Sequence, residues 1–315
     1  MNVLVIGGSR FIGPPVVQRL AEGGHNVTIF NRGQSPTSAS SNVKTILGDR
    51  RKLADSIVAL RQTNPDIVLD MIPFIESDAR DIIEAFRGFA KRIIAISSMD
   101  VYQAFGRIMG TETGELESEA LTEESPLRTK LYPYRGEIPR ENDDPKKLLD
   151  YYDKIPIEHI VLSDPELIGT VLRLPMVYGP SDYQHRLYGY LRSMVDKRDF
   201  ILLDEGFAGW RSTRGYVEDI ADAIVRAVVD EPSRGEVFNV ADNQFHSERE
   251  WVELIAKAMD WQGEIRTMPS EALPESLRSN LDTRQHLMVD SSKIRDRLRW
   301  SHRTDVIVAI QETAN

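Results

Sequence analysis

The stretch Val3-Leu-Val-Ile-Gly7-Gly-Ser-Arg-Phe-Ile-Gly13 decides the fold. Its four aliphatic residues read as a strand buried on both faces. Gly7 and Gly8 then permit a tight turn and a close approach of backbone to a ligand. A helical pattern follows, with Ile12, Val16, Val17 and Leu20 on one face. Gly13 lets that helix sit close to the sheet. Pro14 and Pro15 are tolerated because first-turn N–H groups have no intrahelical partner. A glycine turn between strand and helix offers amide N–H groups and the positive end of the helix dipole to a diphosphate. The glycines alone are weak evidence, but in this strand–turn–helix setting dinucleotide binding by Gly7, Gly8, Ser9, Arg10, Phe11, Ile12 and Gly13 outweighs an ordinary turn.

Working outward, apolar runs recur at 27–30, 45–47, 67–71, 93–96 and 169–174, with amphipathic stretches between them. This alternation predicts an α/β fold, a Rossmann-type doubly wound parallel sheet. Residues 1–180, joined by 212–240 with its strong helix at 217–229 and strand at 238–240, form the nucleotide-binding unit. Residues 181–211 and 241–315 have fewer apolar runs and assemble a smaller C-terminal substrate lobe. Residues 103–150, rich in Gly, Pro and acids, read as a solvated loop or a substrate lid.

A chain of 315 residues suits such a two-part molecule. With 41% hydrophobic and 28% charged residues, it is neither a disordered chain nor a membrane bundle. The net charge of −10 argues against tight nucleic-acid binding. The absence of Cys excludes thiol chemistry and Cys-ligated zinc. The six His are scattered without metal-ligand spacing, so no metal site is expected. No apolar run approaches a membrane span and no leader is visible, which makes the cytoplasm the expected compartment.

An acid at the end of the second strand would bind the adenosine ribose 2′-hydroxyl. This strand instead ends in Asn31-Arg32-Gly33. Asn31 can bond a ribose hydroxyl, while Arg32 and Arg10 can meet a 2′-phosphate. The coenzyme is therefore NADP or NAD, with NADP favoured. The competing reading of Arg32 is a solvated turn residue.

The chain resembles the extended branch of the short-chain dehydrogenase/reductase superfamily, the nucleotide-sugar epimerase and dehydratase group. The resemblance rests on the loop above, Gly48-Asp-Arg50, Ile96-Ser-Ser-Met-Asp-Val-Tyr102, Leu172-Arg-Leu-Pro-Met-Val-Tyr-Gly-Pro180, Arg214-Gly-Tyr-Val-Glu-Asp-Ile-Ala221 and Gly235-Glu-Val-Phe-Asn-Val240. With Arg10 in place of the middle glycine, the loop is similar to an atypical subgroup that includes chloroplast stem-loop RNA-binding proteins and bacterial epimerase-like proteins. The resemblance implies coenzyme contacts from Asp49 and Arg50, from Met71, Ile72 and Pro73, and from Ser97 and Pro175. It implies catalytic roles for Ser98 and for Asp100, the latter at a dehydratase acid position whose neighbour is Met99 here. It implies a homodimer as well. It places Arg214 near a substrate's phosphate or sugar, with Trp210 and Tyr178 as further substrate contacts. A salt bridge from Arg214 to Glu218 or Asp219 is the competing reading.

The superfamily's chemistry uses a Tyr with a Lys four residues on, whose charge lowers the phenol's pKa. None of the ten Tyr has such a Lys. Tyr152 matches best, with Pro156 in the Lys place. Lys154, two residues on, would fall on the wrong side of a regular helix. Tyr151 can instead pair with Lys147 or Lys154. Two functions stay open: an enzyme acting on the hydroxyl or carbonyl carbon of a small substrate, such as a nucleotide sugar, or a coenzyme-binding sensor or RNA-associated protein with little chemistry.

Overall fold

The computed structural model describes residues 1–35 and 42–314. Seven strands form one sheet: β1 (Asn2–Ile6), β2 (Asn26–Asn31), β3 (Val43–Leu47), β4 (Ile67–Asp70), β5 (Arg92–Ser98), β6 (Ile168–Leu174) and a late strand at Val237–Asn239. All pair in parallel, in the order late strand, β6, β5, β4, β1, β2, β3. The order reverses between β1 and β4, and ligands of open α/β sheets bind beyond the strand C-termini at such a point. Val3 to Ile6 are all but inaccessible, each contributing roughly 1.5–3 kcal/mol by burial. The strand at β3 departs from the expectation of burial on both faces. It lies at the sheet edge and Leu47 is 66% exposed.

Helices cover both faces: α1 (Gly13–Glu22), α2 (Leu53–Arg61), α3 (Glu76–Phe86), a short α4 (Gln103–Ile108) and α5 (Lys154–Ser163). Further along come α6 (Tyr188–Val195), α7 (Glu205–Gly209) and α8 (Val217–Val229). Val217, Ile220, Ile224 and Val228 of α8 are buried, and an Arg19–Glu218 ion pair of 2.6 Å ties α8 to α1.

Outside the main sheet, β7 (Met176–Tyr178) pairs with β9 (Arg214–Tyr216), and β8 (Phe200–Asp204) pairs with β11 (Glu264–Met268). The strand at 237–239 is thus β10 in chain order. The β8–β11 pair joins the segment before residue 212 to the one after 240. Helices α9 (Glu248–Ala258), α10 (Ser292–Leu298) and α11 (Val306–Ala314) complete that end. Among the described residues no helix is long and apolar enough to cross a membrane.

The 103–150 segment is held in place, not solvated throughout. Arg128, wholly buried, pairs with buried Asp153 at 3.0 Å. Backbone bridges join Tyr102 to Leu127 and Leu121 to Val289. Its last turn, Pro145 to Leu149, comes to rest along the cleft described next.

Candidate active site

A cleft of about 590 Å³ opens at the C-terminal ends of β1, β2 and β4. Residues 7–13 form its floor, Asn31, Arg32, Asp49 and Arg50 one wall, and Met71 and Ile72 another. Gly8 turns at φ +78°, a conformation that L side chains rarely adopt. A Cβ on Gly13 would stand 2.4 Å from the backbone of Gly8. Gly13 is therefore required for the loop to fold onto the helix start, a closer constraint than the expected approach of helix to sheet. Gly7 N–H donates to Phe30 O and Gly13 N–H to Arg10 O, but the amides of residues 8–12 donate no hydrogen bond within the described residues. Pro14 and Pro15 carry no N–H at all. The anion donors are thus loop amides, not the first helical turn. Consecutive partnerless amides around a glycine turn fit a diphosphate.

Asn31 accepts from Gly33 N–H at 2.7 Å, while its Nδ2 is buried without a partner. That leaves a donor for a ribose hydroxyl. Asp49 caps the turn that follows it, accepting from Arg51 N–H at 3.0 Å. Arg50 lines the wall with its charge already neutralised: it grips Asp70 at 2.7 and 2.9 Å and meets Asp78 at 3.2 Å. Arg50 thus shapes the cleft wall without offering a free charge.

Beyond the cleft, β5 delivers Ser98 and the turn after it delivers Asp100. Ser98 Oγ accepts from Asp100 N–H at 3.2 Å. The Tyr152 hydroxyl donates to Asp100 Oδ2 at 2.8 Å, so Asp100 links Tyr152 to Ser98. Tyr134, from the 103–150 segment, donates to the same carboxylate oxygen at 3.2 Å. Asp100 Oδ1 is buried with no partner.

Lys154 corrects the sequence expectation. Asp153 caps α5 with its side chain on Ile155 N–H, so the helix starts at Lys154 and Tyr152 lies before it, in extended backbone bridged to Ile75. Helical spacing therefore does not govern this pair. Lys154 Nζ is buried beside the Tyr152 ring, 5.6 Å from its centroid, and donates to the carbonyls of Pro73 and Ile96. Pro156 falls in the first turn of α5, where proline is accepted. Tyr151, the alternative, is 47% exposed with Lys147 near its ring and takes no part in the cluster.

Burial, then the adjoining Asp100 carboxylate, pushes the Tyr152 phenol well above its ordinary value. Burial likewise raises Asp100. Burial lowers Lys154 to about 8, opposed by the charges of Asp100 and Asp70. An ammonium whose folded value is about 8 against an ordinary 10.5 releases its proton earlier in the folded state. The unfolded chain then binds more protons between those values, so stability rises with pH across that window. Urea unfolding should show wild type gaining ~3 kcal/mol relative to Lys154→Met from pH 8 to 10.5. A constant difference would contradict a buried ammonium.

Five implied contacts are not available as expected. Ser97 Oγ donates to Glu158, which is also clamped by Arg173 at 2.8 Å, so its hydroxyl is consumed inside the core. Arg214 is buried and paired with Glu248 at 2.5 Å, a different acid from either expected partner. Trp210 is buried against Phe207 and donates to Gln285 O at 2.8 Å. Tyr178 is buried as well and borders a separate cavity. Pro73 serves the site through its carbonyl. Pro175, between β6 and β7, is not among the residues lining the cleft. Tyr134 and Lys146 escaped the sequence reading, and Lys154 was set aside as the partner of Tyr152. Only Lys154 had a readable signal, the Asp153 cap ahead of an apolar helical run.

Residues 3–241 match the model of the NAD dependent epimerase/dehydratase family. The chain belongs to this family. The chloroplast stem-loop binding protein of 41 kDa b from Arabidopsis thaliana is 23% identical, with all of this chain matched to 78% of that protein. The 3-diazoavenalumate denitrifying reductase of a Streptomyces species is 25% identical over 88% of this chain and 87% of its own. Among solved structures, the UDP-glucose 4-epimerase of Thermotoga maritima superposes with a TM-score of 0.73 at 18% identity, covering 100% of this chain and 97% of that one. The epimerase/dehydratase fold accounts for the seven-stranded parallel sheet.

Proposed function

We propose that this member of the epimerase/dehydratase family is an NADP-dependent oxidoreductase that reduces the carbonyl carbon of a small substrate to a hydroxyl. The observation that carries the reading is the meeting of Tyr152, Ser98 and Lys154 just past a cleft whose loop amides are free for a diphosphate. A reduced nicotinamide coenzyme held in the cleft would supply the hydride that the carbonyl carbon takes up. Ser98 orients the carbonyl oxygen, and Tyr152 gives that oxygen its proton. Burial raises the phenol, so it carries at neutral pH the proton that donation requires. Asp100 accepts the phenol's hydrogen bond and holds the hydroxyl in place. Lys154 Nζ, 5.6 Å from the Tyr152 ring centroid, offsets the phenolate charge as it forms.

Charge supports NADP. Arg10, Arg32, Arg51 and Lys146 line the cleft, and none forms an ion pair among the described residues. Arg10 makes one hydrogen bond, to Ser35 Oγ at 2.9 Å. In a chain of net charge −10 this is a local cationic rim suited to a 2′-phosphate. The engagement of Arg214 by Glu248 supports a substrate without a sugar-linked diphosphate.

The test is a panel of small aldehydes and ketones, with nucleotide sugars as the competing class, mixed with NADPH or NADH. Expected is loss of reduced-coenzyme absorbance with a carbonyl compound, faster with NADPH. Sugar isomerisation without net coenzyme consumption would make the protein an epimerase, and binding without turnover would make it a sensor.

A further inference from the structure

A second cavity, of about 140 Å³, lies against the β7–β9 pair, α9 and the segment 302–306. No residue lines both it and the coenzyme cleft. Its floor is aromatic: Tyr178, Tyr216 and Trp251 are buried, with ring centroids 5.7 Å (Tyr178–Tyr216) and 5.4 Å (Tyr178–Trp251) apart. Its mouth is at exposed Gln244 and Asp305.

Two polar atoms of this cavity's lining are unsatisfied. Trp251 Nε1 and His302 Nδ1 are buried without hydrogen-bond partners. An orphaned buried polar group costs ~1–3 kcal/mol, so native structures rarely leave two in one cavity. Three carboxylates line the walls and no Lys or Arg does. Asp219 accepts from the amides of Arg303 and Thr304, at 2.9 and 3.3 Å. Asp305 accepts from Ile307 N–H at 2.9 Å. Asp242 alone receives no hydrogen bond from the described residues, and burial together with Asp219 pushes its carboxyl up to about 7. The adjacent Arg214 is paired with Glu248 through Nη2, keeps a buried Nε without a partner, and lies over the Trp251 ring.

The electrostatic match is a cation. No group of three or more His, Cys, Asp or Glu among the described residues is placed to hold a metal. Aromatic walls beside a carboxylate favour an organic ammonium. The orphaned Trp251 N–H asks for an oxygen acceptor on the same ligand. We propose that this cavity binds a small protonated amine carrying a hydroxyl, with its ammonium on Asp242 and its oxygen on Trp251 Nε1–H. The proposal does not depend on the coenzyme reading.

The probe is ethanolamine, titrated calorimetrically into the full chain, with ethylamine, ethanol and acetate as comparisons. Saturable heat is expected with ethanolamine, weaker heat with ethylamine, and none with ethanol or acetate. Asp242→Asn should weaken ethanolamine at least tenfold. Trp251→Phe, which keeps the ring packing and removes the N–H, should weaken it severalfold. Coenzyme titration on each variant reports that it is folded. Absence of saturable heat with ethanolamine overturns the proposal, as does equal binding of acetate. Unchanged ethanolamine affinity in a folded variant of either residue overturns it too.

Discussion

Tyr152→Phe should lower turnover ~10²–10⁴-fold, the range for removing a positioned proton donor, while coenzyme affinity stays within about twofold of wild type. The substitution deletes one hydroxyl and keeps the ring, which packs edge-on against Phe74 at 4.7 Å and beside Tyr134 at 5.2 Å. Asp100 keeps its hydrogen bond from Tyr134, so the buried carboxyl is not left bare. The loss therefore falls on proton transfer. Steady-state rates on whichever compound turns over in the panel check this, with coenzyme titration alongside. A rate within threefold of wild type would remove Tyr152 from the chemistry.

Gly13→Val should weaken coenzyme binding by about two orders of magnitude, ~2.7 kcal/mol, in a chain that still folds. The added Cβ would stand 2.4 Å from both Cα and C of Gly8. Both are backbone atoms, so no rotamer change relieves the clash. The loop must lift from α1, which misaligns the free amides of residues 8–12. The apolar face of α1 (Val16, Val17 and Leu20) stays buried and keeps the helix on the sheet. Circular dichroism and coenzyme titration separate the two effects. Tight binding by a folded Gly13→Val would show that the amides grip nothing.

The sheet was legible because its period is legible. Strands buried on both faces write continuous apolar runs, and the loop at 7–13 writes its glycines between a strand and a helix. The same logic overreached at β3, where an edge strand carries the apolar run of an inner one with its side chains half in solvent. The cleft was legible for a similar reason, since one loop and two strand ends supply most of it.

The reacting end was only half legible. Ser98, Asp100 and Tyr152 were named, but Lys154 was rejected on helical spacing, although a one-residue capping decision by Asp153 puts Tyr152 outside the helix. Tyr134 and Lys146 lie in an irregular segment, where position follows from buried ion pairs such as Arg128–Asp153 that no local pattern announces. Ser97, Arg214 and Trp210 show the reverse limit. Residue type suggested contact with a ligand, but the fold pairs them with Glu158, Glu248 and Gln285 instead.

Calorimetric titration of the coenzyme-free protein with NADPH tests the central claim most directly. Saturable one-to-one binding, tighter than for NADH and lost in Gly13→Val, is the predicted result. No heat with either coenzyme would contradict the claim that the residue 7–13 amides hold a nicotinamide dinucleotide beside Tyr152.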